Sequence, residues 1–185
     1  MQWPTLTHAV KKDPAIEKKI DELMARMSVE EKVGQLIQPE IRHLTPQDVK
    51  DYHIGSVLNG GGSVPNNNRY SKAADWLAIA DGYYTASMDE SDGKVAIPIM
   101  WGTDAVHGVG NIVGATLFPH NIALGATNNP ELIRRIGEIT SLVFSYLFDL
   151  RSYRSDLRRD ARENAQFFYW VHALVNANPH ESSYN

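Results

Sequence analysis

The 185-residue sequence contains no cysteine, which excludes a disulfide framework, a thiolate metal site and a cysteine nucleophile. Basic residues are not in excess either: 18 Lys and Arg stand against 22 Asp and Glu, a formal net charge of -4. General attraction to nucleic acid or anionic lipid needs the opposite balance, so neither a nucleic acid nor a membrane is expected as a partner. No apolar run approaches the roughly 20 residues of a membrane helix. Met1 to Val10 shows no basic stretch followed by an apolar core, so no signal peptide is visible and the compartment stays open. A Walker loop, a His-Glu-x-x-His pair and a Gly-x-Ser-x-Gly elbow are all missing from the sequence. No metal and no cofactor is expected.

Apolar residues make up 43% of the chain, enough for one domain with a sizeable core. Asp13 and Pro14 form a cap and first helical position, and Ile16, Ile20, Leu23, Met24 and Met27 recur on one helical face. Ser28-Val-Glu-Glu31 is a capping-box pattern that predicts a second helix through Val33, Leu36 and Ile37. Both faces read as packing surfaces. A buried strand is expected over Gly55 to Leu58, a flexible loop at Gly60 to Gly62, a helix from Ala73 to Met88 and a second strand from Ala96 to Met100. Asn129, Pro130 and Glu131 announce a further helix running through Leu132, Ile133, Ile136 and Ile139. Strand, helix, strand, helix predicts an α/β fold with parallel strands.

The character changes near Ser141. Every glycine and every lysine lies before it, and Arg151, Arg154, Arg158, Arg159 and Arg162 follow. An anion or RNA contact is one reading of that cluster. The interleaved Asp156, Asp160 and Glu163 favour a solvated helix face, between apolar blocks that read as helices. The chain thus divides into residues 1–140 and an Arg-rich, helical tail over 141–185.

Chemistry concentrates where the second strand ends. Ile97-Pro-Ile-Met-Trp-Gly-Thr-Asp-Ala-Val-His107 delivers Asp104 and His107 to a loop at the C-terminal end of a strand, the usual place for an α/β site. Asp104 can serve as acid, base, nucleophile or acceptor of sugar hydroxyls, or it can cap local backbone amides. One His beside one Asp is neither a triad nor a metal set. The run Gly108-Val-Gly110-Asn-Ile-Val-Gly114 invites comparison with a dinucleotide fingerprint, but its third glycine comes one residue late. Phe118-Pro-His-Asn121 reads as a bracing loop, with His120 and Asn121 in support of a ligand site.

Four ordered segments, Met27 to Gln35, Gly55 to Pro65, Ile97 to Gly108 and Gly114 to Ala126, together resemble the N-terminal part of glycoside hydrolase family 3. The likeness is greatest to its β-glucosidase and exo-β-glucan glucohydrolase branch and covers about Trp3 to Thr140. It implies the N-terminal portion of a (β/α)8 barrel of the TIM type, incomplete in this chain. It also implies hydrolysis of terminal β-D-glucosyl residues with retention, through two carboxyl groups about 5 to 5.5 Å apart. The implied partner is a β-linked glucoside or oligosaccharide, and the implied compartment is periplasmic or extracellular. By the same resemblance Asp104 binds hydroxyls of the non-reducing glucose, with Trp101 and His107 supporting the pocket.

Two departures qualify that picture. Family members read His-Gly-His-Asn-Asn where this chain has His107-Gly-Val-Gly-Asn111, and none of the Lys-His, Ser-Asp-Trp or Asp-Arg-Trp-Gly-Arg motifs occurs here. The nucleophile Asp and acid/base Glu are therefore expected to be missing, leaving no catalytic residue in the chain. A truncated fragment is the leading expectation, with self-association through uncovered barrel edges. The alternative is a noncatalytic carbohydrate-binding or interaction module.

Overall fold

The computed structural model describes residues 12–60 and 62–144. Its centre is a small parallel sheet backed by helices. β1 (Ser56–Asn59) pairs in parallel with β2 (Met100–Thr103), with Val57 opposite Trp101 and Asn59 opposite Thr103. A third extended stretch lies along the other side of β1, bridging Glu40 to Leu58 in parallel, with the Leu58 N–H donating to the Pro39 carbonyl at 2.9 Å.

Before the sheet come α1 (Pro14–Arg26), α2 (Val29–Gly34) and α3 (Pro46–Tyr52). Asp13 caps α1 by accepting the Ala15 N–H. The Ser28 and Glu31 box forms as the pattern predicts, each side chain taking the other's backbone N–H. Thr45 and Asp48 repeat that arrangement at the start of α3. Between the strands runs α4 (Ala73–Ser87), the crossover that parallel pairing requires. α5 (Asn121–Ala126) and α6 (Pro130–Phe144) follow the sheet, and Asn129 caps α6 through the Leu132 N–H.

Alternation along β1 sets the layers. Val57 and Asn59 are buried toward the helices, whereas Ser56 and Leu58 lie on the more open face. Val57, Trp101, Trp76, Tyr83, Val49 and Ile54 form the core between sheet, α3 and α4, and Val109 and Ile112 join it from the loop after β2. Trp101 stands edge-on to Trp76 and tilted against Tyr83, with centroids 6.5 and 5.9 Å away. The Tyr83 hydroxyl donates to the Leu44 carbonyl at 2.8 Å, fastening α4 to the short helical turn at Ile41–His43.

Three expectations need correction. The second strand begins at Met100 rather than Ala96, because its upstream amides are engaged elsewhere. Val95 donates to Glu31, Pro98 has no N–H, and Ile99 donates to Ser87; the ladder opens only where Met100 reaches the Gly55 carbonyl. The second helix stops at Gly34, whose α-carbon faces the Tyr52 and His53 carbonyls so closely that an added Cβ would sit 2.1 Å from the first. The chain then turns into the stretch beside β1, leaving Val33, Leu36 and Ile37 exposed. The apolar face of α1 is not a packing surface among the described residues: Ile16, Ile20 and Met24 are about half exposed, and only Met27, just past the helix, is buried. The last described helix, α6, runs on to Phe144. The arginine cluster and the rest of the tail lie outside the described residues.

Candidate functional site

The C-terminal ends of the parallel strands converge on Asp104. Its backbone N–H donates to the Asn59 carbonyl at 3.3 Å, continuing the β1–β2 pairing one step past the last paired residues. Its side chain is exposed and lies over the glycine-rich loop that follows β1, with Oδ2 3.8 Å from where a Cβ on Gly60 would stand. An accessible carboxylate held on a strand end above bare backbone is suited to accepting hydroxyl hydrogen bonds from a ligand.

Trp101 does not reach solvent from that strand. It is buried, and its indole Nε1 donates to Asn59 Oδ1 at 2.7 Å. Its place is beneath the loops, as a brace. His107 is half-buried, and its ring meets that of His120 edge-on at a centroid distance of 4.9 Å. The His107 carbonyl accepts the Phe118 N–H at 2.8 Å, so the loop after β2 and the segment leading into α5 are joined by backbone and by rings. Gly108 permits the crossing, with φ +81 and a Cβ position only 2.5 Å from the Thr116 carbonyl oxygen. His120 is also the N-cap of α5, its Nδ1 accepting the Ile122 N–H at 3.4 Å, and Asn121 is the exposed first residue of that helix.

Val109, the residue at odds with the usual polar motif, points into the core and is 2% exposed. The loop keeps a polar hold further on: Asn111 Nδ2 donates to the Gly60 carbonyl at 3.3 Å. Asn59 and Asn111 are contributors that the reading of the sequence missed. Asn59 occupies the end of β1 as Asp104 follows the end of β2, and that equivalence was the available signal. Glu40 closes the third strand end, with Oε2 accepting the Arg42 N–H and Nε at 2.8 and 3.0 Å. Partial burial opposes its ionisation, but the nearby Ser63 hydroxyl and the hydrogen bonds and charge of Arg42 together outweigh that and hold the carboxyl below the ordinary range.

No group of three or more His, Asp or Glu able to hold a metal occurs among the described residues. No described helix is long and apolar enough to cross a membrane. A surface depression of about 430 Å³ lies between α3 and α4, lined by residues such as Pro46, Lys50 and Asp89, and is separate from the strand ends.

The sequence pattern described as the glycosyl hydrolase family 3 N terminal domain matches residues 28–143. The chain belongs to glycosyl hydrolase family 3. The matched region contains both strands, the Asp104 loop and α5. Among curated proteins, the family 3 chain is 35% identical over 136 residues to a lysosomal beta glucosidase of Dictyostelium discoideum, an alignment covering 66% of this chain and 16% of that relative. Among solved structures, the exo-1,3/1,4-beta-glucanase ExoP from a Pseudoalteromonas species is 49% identical with a TM-score of 0.69, covering 76% of this chain and 18% of that one. Its Q683A mutant aligns at the same identity with a TM-score of 0.68, over 23% of its own length. The family 3 chain therefore spans less than a quarter of each of these relatives.

Proposed function

We propose that this chain forms the sugar-holding part of a family 3 β-glucosidase or β-glucanase: the first strands of a (β/α)8-type barrel, presenting Asp104 to a terminal β-linked glucosyl unit. The observation that carries the reading is the placement of an exposed carboxylate at the C-terminal end of a parallel strand, over Gly60. Names of the relatives, a beta glucosidase and an exo-1,3/1,4-beta-glucanase, supply the substrate class.

Asp104 positions rather than attacks. Charged acceptors of hydroxyl hydrogen bonds contribute roughly 1.5 to 3 kcal/mol each, enough to orient a glucosyl ring. Retaining hydrolysis also needs a nucleophilic carboxylate and an acid on opposite sides of the anomeric carbon. His107 and His120 brace each other and the loop, with Asn121 at its edge, and Trp101 supports the strand from below. None of these is a second carboxylate facing Asp104, so the reacting pair is assigned to residues other than those described.

Titrating the purified chain with methyl β-D-glucoside, followed by NMR, tests the reading. Wild type is expected to bind weakly, and Asp104→Ala to lose about tenfold or more in affinity, in line with one charged hydrogen-bonding group. Hydrolysis of an aryl β-glucoside is expected to stay at background. Binding that survives Asp104→Ala, or substantial turnover, would contradict the assignment of roles. A noncatalytic sugar-binding module would give the same titration, and is distinguished by activity appearing when the remaining length of a family 3 enzyme is supplied.

A further inference from the structure

Asn59 is an amide in an apolar place. It is 1% exposed, it shares the inner face of β1 with Val57, and the aromatic cluster of Trp76, Tyr83 and Trp101 lies on that side of the sheet. A buried amide is costly unless its polar atoms are engaged, and here the engagement is with the strand that carries Asp104. Its Oδ1 accepts the Trp101 indole N–H at 2.7 Å, while its backbone carbonyl accepts the Asp104 N–H at 3.3 Å. One residue thus grips β2 at Trp101 and the residue that follows the strand, three positions on. The following residue, Gly60, lies under the Asp104 carboxylate, and its own carbonyl is held by Asn111.

Ordinary ladder bonds fix the register of β2 but not the tilt of its last residues, where pairing ends. Gly102 has no side chain with which to hold that tilt, and the Asp104 side chain is itself exposed. The Asn59–Trp101 bond adds a side-chain tether from the buried face, so that the strand cannot roll about its axis without breaking it.

We propose that Asn59 is a positioning residue that sets the height and direction of Asp104 at the sugar site, acting through the Trp101 indole and the Asp104 amide. The proposal rests on the reading that Asp104 holds a glucosyl unit. It assigns Asn59 no contact with the sugar.

The test uses the full chain, labelled with 15N, and three readouts: the Trp101 indole proton, hydrogen exchange at the Asp104 amide, and affinity for methyl β-D-glucoside. Asn59→Leu is expected to shift the indole proton upfield, to speed Asp104 exchange about tenfold and to weaken the glucoside about tenfold. Asn59→Asp restores an acceptor oxygen and is expected to return the indole signal and most of the affinity. Val49→Ala, a core change in α3, is the stability control and is expected to leave affinity within about twofold of wild type. If Asn59→Leu does not fold, Trp101→Phe removes the donor instead and is expected to give the same losses.

Asp104 exchange and glucoside affinity both unchanged in the folded variant would overturn the proposal. So would an equal loss of affinity in Val49→Ala, which would make the effect one of stability alone. If wild type binds no glucoside, the sugar reading of Asp104 fails by itself. The positioning role is then decided by Asp104 exchange, which must still quicken in Asn59→Leu for the role to stand.

Discussion

A carboxylate that receives two backbone N–H groups resists protonation, and Glu31 takes them from Ser28 at 2.7 Å and Val95 at 3.2 Å. The Ser28 amide is the larger influence, and together these bonds hold the Glu31 pKa below its ordinary 4.5. Nearby His53 behaves oppositely in sign of charge: burial pushes its pKa below 6.5 despite the attraction of Glu31. Lowered values on an acid and on a base both weaken the fold on acidification. Well above pH 6.5 His53 is neutral folded or unfolded; as pH falls through 6.5 the unfolded chain takes up the proton first, and stability drops until the lower folded value is passed. Glu31 adds its own loss below pH 4.5, where the unfolded carboxylate protonates before the folded one. At the alkaline end, burial pushes Tyr83 up to about 12, so its stabilisation is lost as pH rises from 10 toward 12. Urea unfolding across pH is expected to show the first decline beginning near 6.5, and His53→Asn to remove it. Asn suits that position, since His53 ends α3 with φ 54 in the left-handed region. A decline of the same size in His53→Asn would show that another group is responsible.

At the scale of elements, local chemistry was legible wherever a short motif fixes it. Ser28 with Glu31 and Asn129 with Pro130 announced helix starts that form as written. Ser28→Ala, which removes the acceptor for the Glu31 N–H, is expected to lower stability by about 1 kcal/mol. Its signature is a lower urea midpoint at unchanged slope, and an unchanged midpoint would mean that the cap contributes nothing here. What the pattern missed was tertiary. The bond from Ile99 to Ser87 and the bond from Val95 to Glu31, both long in sequence, delay β2 until Met100. Gln38-Pro-Glu40 has no strand signature, and it lines the sheet because the chain must pass β1 after the tight contact at Gly34. Asp104 still follows the strand despite the strand's shift, because the Trp-Gly-Thr run before it is what pairs with β1. Asn59 was hidden by its chemistry: an amide after a valine and a leucine reads as the start of a turn, and only the Trp101 indole across the sheet makes it part of the core.

At the scale of the whole molecule, one face of the sheet packs and the other is the more open among the described residues. Helices α3 and α4 cover Val57 and Trp101, while Met100, on the opposite face, is 57% exposed. α1 likewise presents Ile16, Ile20 and Met24 without a covering element among the described residues. These features belong with a family 3 segment that matches only a fraction of its relatives' length. The chemistry of a retaining glycosidase needs two carboxyl groups flanking one bond, and among the described residues Asp104 stands exposed at the strand ends. Whether this acid holds a terminal glucosyl unit is tested most directly by a crystal of the chain soaked in glucose. The sugar is predicted at the ends of β1 and β2 with two of its hydroxyls within hydrogen-bond distance of the Asp104 carboxylate, and ordered glucose elsewhere with Asp104 untouched would contradict the claim.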